Sequence, residues 1–270
     1  MTNEFEQKIL DRLESDYKLV ENLGYKPLMI ALQGSPNYGL EDEFSDIDTK
    51  AIVLPTLHDI ISKKQPVSFT HILDSNEHVD IKDIRLMHEC FKKQNVNFIE
   101  ILFTKYYKLN PQYEQLYRPM LENRERIARF NPIAAMKTMY GQISEKLHAL
   151  DHNYPSKQYE ISKWGFDPKQ LHHIFRVNEF MDRYFNGEPY ADCLISKNRE
   201  YFIRIKRNTD DLFDLAAAKA MAQELADESH KQLDEAVSIW EPAIDKIALE
   251  ILDSCLYNVI RQSLIDDLKE

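Results

Sequence analysis

Residues 34–48 read Gly34-Ser35-Pro36-Asn37-Tyr38-Gly39-Leu40-Glu41-Asp42-Glu43-Phe44-Ser45-Asp46-Ile47-Asp48. Before them comes the apolar run Pro27-Leu28-Met29-Ile30-Ala31-Leu32, and after them Ile47 to Leu54, closed by Pro55. Both runs have strand length and end in turn residues, so the stretch predicts a loop joining two strands. A Gly-Ser pair after a strand leaves backbone N–H groups and a hydroxyl at the start of a turn, groups that suit polyphosphate oxygens. Gly39 lets the loop fold back, through backbone conformations closed to most residues. Asp46 and Asp48 are two apart at the start of a strand, so both carboxylates point to one face. Two such anions repel unless a cation lies between them. Magnesium prefers oxygen ligands and usually binds one or two carboxylates together with phosphates. A lone Asp-x-Asp reads as a solvated strand end; the ordered combination of strand, Gly-Ser, glycine loop and Ser-Asp-x-Asp is what carries information.

Outward from this stretch, residues 4–23 have apolar positions at helical spacing, with Gly24 placed to end the helix. Val67 to Leu73 and His78 to Ile81 predict two more strands around the turn Asp74-Ser75-Asn76-Glu77. From about residue 84 the pattern is helical, over 84–94, 97–103, 112–129, 132–151, 168–186, 209–235 and 241–268, with prolines near the breaks. Strands early and helices late predict an α+β catalytic domain over 1–108 and an all-helical domain over 109–270.

Gly34-Ser35, Gly39 and Ser45-Asp46-Ile47-Asp48 resemble the signature of the DNA polymerase beta superfamily of nucleotidyltransferases. The resemblance implies a mixed sheet flanked by helices and a Gly-Ser motif that holds triphosphate. It also implies two metal-binding aspartates, with a third on a neighbouring strand. Tyr38 and Ser45, inside the same loop, join Gly34 and Ser35 as nucleotide-binding candidates. For the third aspartate the chain offers Asp80 and Asp83. In Val79-Asp80-Ile81-Lys82 the apolar residues share one strand face and Asp80 takes the other. Asp83 precedes a helical run and reads as its N-cap. Asp80 is therefore the choice, and the implied catalytic and metal set is Asp46, Asp48 and Asp80, with two Mg2+ or Mn2+ ions and a nucleoside triphosphate such as ATP.

Residues 79–103 and the run Gly165 to Arg176 resemble one branch, the RNA-repair polymerase-beta-like proteins associated with RNA ligases, although Asn97 lacks the proline that usually follows there. Lys169, His172, His173 and Arg176 fall at spacings of three, four and seven, which puts Lys169, one or both histidines, and Arg176 on one helical face. Such a stripe could neutralise charge on a leaving pyrophosphate, or could simply be a polar face with a hydrogen-bonded histidine. The resemblance points to an RNA or tRNA acceptor in the cytoplasm. A protein or small-molecule acceptor, or a silent binding or antitoxin-like module, are the alternatives.

Composition bounds the rest. The net charge of −11 is uneven, with fifteen acidic against five basic residues over 209–270 and near balance before them. That excludes a broad non-specific nucleic-acid binder but not one that meets a strand end through a local cluster. Lys197, Arg199, Arg204, Lys206 and Arg207, interleaved with Tyr201 and Phe202, are the candidate cluster. The apolar stripe from Ile239 to Leu256 predicts packing within the helical domain or against a second copy. No run of eighteen apolar residues predicts a membrane span, and the acidic, amphipathic start Met1-Thr2-Asn3-Glu4-Phe5-Glu6 is unlike a secretory signal. Cys90, Cys193 and Cys255 lack zinc-site spacing and read as free thiols of a reducing compartment.

Overall fold

A computed structural model describes residues 3–42 and 44–269, apart from the side chain of Asn3. Met1 and Thr2 of the acidic N-terminus, and Glu43 of the loop, lie outside the described residues. The first part of the chain runs α1 (Asn3–Asn22), β1 (Lys26–Gln33), a 3-10 turn (Ser35–Tyr38), β2 (Asp48–Leu54), α2 (Leu57–Ile61), β3 (Ser68–Ile72), β4 (His78–Asp83), α3 (Ile84–Lys92), α4 (Val96–Ile99), β5 (Tyr107–Leu109), α5 (Glu114–Glu122) and α6 (Arg124–Ala128). Then come α7 (Pro132–Ala149), α8 (Gln158–Trp164), α9 (Pro168–Phe185), α10 (Tyr190–Leu194), α11 (Arg199–Arg207), α12 (Leu215–Ile239) and α13 (Lys246–Asp267). The class is α+β, and no described helix is long and apolar enough to cross a membrane.

The strands form one mixed sheet in the order β3-β4-β2-β1-β5. Only the β2–β4 pair is parallel. Alternation sorts the side chains by face. Val79 and Ile81 of β4, with Ala51 and Val53 of β2, join Ile9, Leu13 and Val20 of α1 in a buried core. Lys50 and Ile52, and in register with them Asp80 and Lys82, take the opposite face, and by alternation so do Asp48 and His78. On the α1 side one polar knot is buried: Thr49 Oγ1 donates to Asp16 at 2.6 Å, and Arg12 grips the same carboxylate at 2.7 Å. Desolvation raises the pKa of Asp16 against those bonds.

By Cα packing the chain divides into two compact units: Met1–Asn37 with Glu43–Phe130 and Ile244–Glu270, and Tyr38–Asp42 with Asn131–Ala243. The first contains the sheet. The expected division at 108/109 would part α5, α6 and α13 from it, but α13 packs on α3, α5 and α6 and so groups with the first unit. The second unit is helical, built on α9 with α7, α11 and α12 around it.

Several elements differ from the expectation. The helix expected over 112–129 breaks at Asn123, whose side chain donates back to Pro119 O at 2.8 Å. The helix expected over 97–103 shrinks to α4 and a 3-10 turn (Glu100–Leu102), followed by the edge strand β5. The helix expected to start at 209 begins at Leu215, capped by Asp214; the one expected at 241 begins at Lys246, capped by Asp245. Among the described residues all three cysteines are free thiols.

Candidate functional site

The β1–β2 register opposes Gln33 to Asp48. This brings the Gly34-Ser35 turn and the Asp46-Ile47-Asp48 segment to the same end of the sheet. Gly34 has φ +85°, a conformation that strains any residue with a Cβ, so the turn depends on this glycine. Asn37 then closes it: its N–H donates to Gly34 O at 3.0 Å and its side-chain amide to Leu32 O at 2.7 Å. Ser35 Oγ lies 3.3 Å from Ser45 Oγ, which ties the two ends of the loop together.

Asp46 is exposed. Asp48, the first residue of β2, accepts the His78 backbone N–H at 2.9 Å, so the start of β4 orients its carboxylate. The parallel register places Asp80 beside Lys50, on the same face as Asp48. Lys82 Nζ stands 2.9 Å and Lys50 Nζ 3.5 Å from the Asp80 carboxylate, and Thr70 Oγ1 is at 3.3 Å. Lys50 is buried, donates to Asn97 O at 2.8 Å and lies 4.5 Å from the centre of the Phe98 ring. Asp83 does not share this face. It is buried, caps α3 through Arg85 N–H and binds the Arg85 guanidinium.

The donor chemistry bears on whether a divalent cation fits. Asp46 and Asp48 offer hard oxygen ligands two residues apart, which with phosphate oxygens is an ordinary magnesium set. Asp80 is held by two ammonium groups, and among the described residues no three His, Cys, Asp or Glu side chains assemble into a metal-holding group. The aspartate pair thus fits such an ion in the company of phosphate. Asp80 could join only by exchanging a lysine for it.

In the second unit Lys169, His172 and Arg176 lie on α9 as their spacing predicts. Asp167 caps the helix at Lys169 N–H. His172 is buried, its Nδ1 2.9 Å from Phe202 O, and it is pushed down to about 3 by burial, with nearby Arg176, Lys206 and Lys169 adding to the fall. It is therefore neutral at ordinary pH and bonds α11; the positive charge of the stripe belongs to the others. Arg176 is buried with its Cζ 4.0 Å from the centre of the Tyr38 ring. The candidate nucleic-acid cluster is paired throughout: Lys197 with Glu188, Arg199 with Glu41, Arg204 with Asp210, and Lys206 and Arg207 with Asp42.

No protein-family model matches the chain. No curated protein matches it either. Among solved structures it is similar to the crystal structure of a nucleotidyltransferase-like protein from Exiguobacterium sibiricum 255-15. The two are 12% identical, the alignment covers 92% of this chain and 78% of that one, and the TM-score is 0.30. At that level the functional reading rests on the residues of this chain.

Lys50, Asn37 and Glu77 escaped the sequence reading. Lys50 had a signal: a lysine inside an apolar strand, two residues from Asp48, must find a partner on the same face. Asn37 and Glu77 sit in polar loop segments where nothing local marks them.

Proposed function

We propose that this chain is a nucleotidyltransferase, which moves a nucleoside monophosphate from a triphosphate to an acceptor hydroxyl and releases pyrophosphate. The observation that carries the reading is the sheet register. It gathers a glycine-dependent Gly34-Ser35 turn and the Asp46/Asp48 pair at one sheet end, with Asp80 on the adjacent parallel strand and the same face as Asp48. Gly34 and Ser35 would hold phosphate oxygens through backbone N–H and hydroxyl groups, with Tyr38 and Ser45 in the same loop. Asp46 and Asp48 would hold magnesium together with the triphosphate; the ion supplies charge neutralisation at the α-phosphoryl group. Asp80 would take the acceptor proton as the acceptor oxygen bonds to the α-phosphorus and the bond to the bridging oxygen breaks. Lys169 and Arg176 would bind phosphate charge, and His172 would hold the helix that carries them.

The family resemblance makes the acceptor an RNA or tRNA end. A second reading, a protein or small-molecule hydroxyl, is favoured by the pairing of every cation in the Lys197–Arg207 stretch. Incubation with each labelled triphosphate, magnesium or manganese, and total RNA, protein or an aminoglycoside panel tests both. Label on RNA, lost in Asp48→Asn, supports the first; label on protein or small molecule supports the second. Absence of transfer to any acceptor overturns the enzyme assignment.

A further inference from the structure

Lys50 is a buried charge for which the proposed chemistry has no use. It sits in the middle of β2, paired with Ala31 of β1 on one side and with Asp80 of β4 on the other. Both ladders fix its backbone, and its side chain is only 3% exposed. The ammonium donates to Asn97 O at 2.8 Å and lies 4.5 Å from the centre of the Phe98 ring. Among the described residues its one carboxylate partner is Asp80, at 3.5 Å. Lys82 also holds Asp80, at 2.9 Å, but on other terms. It donates to Ser68 Oγ of the edge strand β3 at 2.9 Å, and its side chain is 17% exposed. A rival for Asp80 can turn Lys82 out toward water. Lys50 has no such exit.

Burying an ammonium is costly unless an anion and hydrogen bonds meet it. Asp80 provides the anion, Asn97 O the hydrogen bond, and the face of the Phe98 ring a further attraction. Removing Asp80 from Lys50 would leave an uncompensated buried charge, the costly way to break such a pair. A divalent cation on Asp80 does more than remove it, because it sets two further positive charges beside an ammonium that cannot retreat. By alternation Asp48 and Lys50 share one face of β2, with Asp80 in register beside Lys50. An ion shared by Asp48 and Asp80 therefore meets the same ammonium. Asp48 itself is free of this conflict. His78 Nδ1 stands 3.8 Å from its carboxylate, and among the described residues no lysine or arginine pairs with it.

We propose that Lys50 takes the place of a second divalent ion. It is the standing counter-cation and positioning residue of Asp80, and the reaction centre works with a single ion, held by Asp46 and Asp48. The proposal rests on the nucleotidyltransferase reading and departs from the two-ion site that the family resemblance implies. A fixed side chain here cancels the Asp80 charge and keeps its carboxylate aimed, with no second binding event.

The test counts bound ions rather than turnover. Mn2+ is titrated into the full chain together with an α,β-methylene analogue of ATP, which cannot transfer. Electron paramagnetic resonance separates free ions, ions on the analogue alone and ions on the chain. One chain-bound Mn2+ is expected, and Asp80→Asn should leave that count unchanged. Lys50→Met removes the ammonium and keeps the bulk, so Asp80 can accept an ion and the count should double. A packing role for Lys50 would not move it. Should Lys50→Met fail to fold by circular dichroism, the first two counts still decide. Two ions on the unaltered chain, falling to one in Asp80→Asn, overturn the proposal and leave the nucleotidyltransferase reading standing. A count of one that stays at one in a folded Lys50→Met does the same. No chain-bound ion at all overturns that reading, and the proposal with it.

Discussion

The carboxylate of Glu77 accepts the main-chain N–H of Ile47 at 2.9 Å, the residue between Asp46 and Asp48. Its other oxygen takes Arg12 Nη1 at 2.5 Å, and Arg12 in turn holds Asp16 under the sheet. With His78 N–H on Asp48, two consecutive residues at the head of β4 fasten the whole Asp-x-Asp segment. Rigid support of this kind is what keeps ligand groups in a productive geometry.

Glu77→Ala should therefore depress turnover while the sheet survives, at a cost of about 1–3 kcal/mol in stability for the orphaned N–H and guanidinium groups. Glu77→Gln keeps an acceptor for Ile47 and should recover turnover ahead of stability. The comparison is kcat against a urea midpoint for each variant. Parallel losses in both measurements would reduce Glu77 to a fold residue.

Asp80 and Asp83 separate by different losses. Asp80→Asn should abolish most transfer, and it should also destabilise the fold, because Lys50 is buried beside it. Asp83→Ala removes a helix cap, costing about 0.5–2 kcal/mol, and strands the Arg85 guanidinium, with turnover retained. Denaturant titrations and label transfer on both variants give the answer; an inert Asp83→Ala and an active Asp80→Asn would move the third carboxylate elsewhere.

How far the sequence speaks follows from the range of the forces involved. β1 and β2 were legible because Leu28 to Leu32 and Ala51 to Leu54 are continuous apolar runs, and both are buried in the sheet. Asp80 was placed on its strand face by alternation alone. β5 was not legible: Tyr107-Lys108-Leu109 is three residues long and owes its conformation to pairing with Met29, Ile30 and Ala31. The grouping of α13 with the first unit was hidden for the same reason, since a helical period shows that Leu252, Leu256 and Val259 are buried but not against what. The cations of residues 197–207 were legible as charge, whereas the pairing of Arg199, Lys206 and Arg207 depends on Glu41 and Asp42, in a loop more than 150 residues away.

Acid should loosen the second unit. His172 titrates at about 3 in the folded chain, and His173 well below its usual value, in both cases chiefly through desolvation. Unfolded, each takes a proton near 6.5, so between that value and the folded one the unfolded chain binds more protons and stability falls as pH falls. From pH 7 to 5 the loss through His172 is on the order of 2 kcal/mol. His172→Asn, whose amide can still donate to Phe202 O, should lose less over the same interval, the remainder belonging to His173. Urea midpoints at the two pH values measure it; an equal drop in the variant would clear His172 of the effect.

Gly34→Ala is a test of conformation without crowding, because nothing lies within 4 Å of the position a Cβ would take. At φ +85° the added methyl costs about 1–2 kcal/mol in backbone strain. A turn that relaxes toward negative φ would misdirect the Ser35 hydroxyl and the backbone N–H groups after it. The expected outcome is a raised KM for the triphosphate with a small fall in melting temperature. An unchanged KM would take the turn out of phosphate binding.

RNA affinity offers the last discrimination. Each phosphate contact on a single strand contributes about 0.7 to the slope of log affinity against log salt. Five cations between Lys197 and Arg207, free to meet phosphates, would give a slope of roughly −3.5. In the structure each already faces a carboxylate, so a phosphate must displace a partner before it gains a cation, and the net charge gained is small. Exposed pairs are individually weak, at about 0–1 kcal/mol, yet all must open together for the stretch to act as a platform. The expected slope for a labelled RNA decamer, read by fluorescence anisotropy, is therefore shallower than about −1. A slope of about −3.5 that collapses when Lys197, Arg199 and Arg204 are replaced by glutamine would show that RNA opens these pairs, and would return the acceptor to an RNA end.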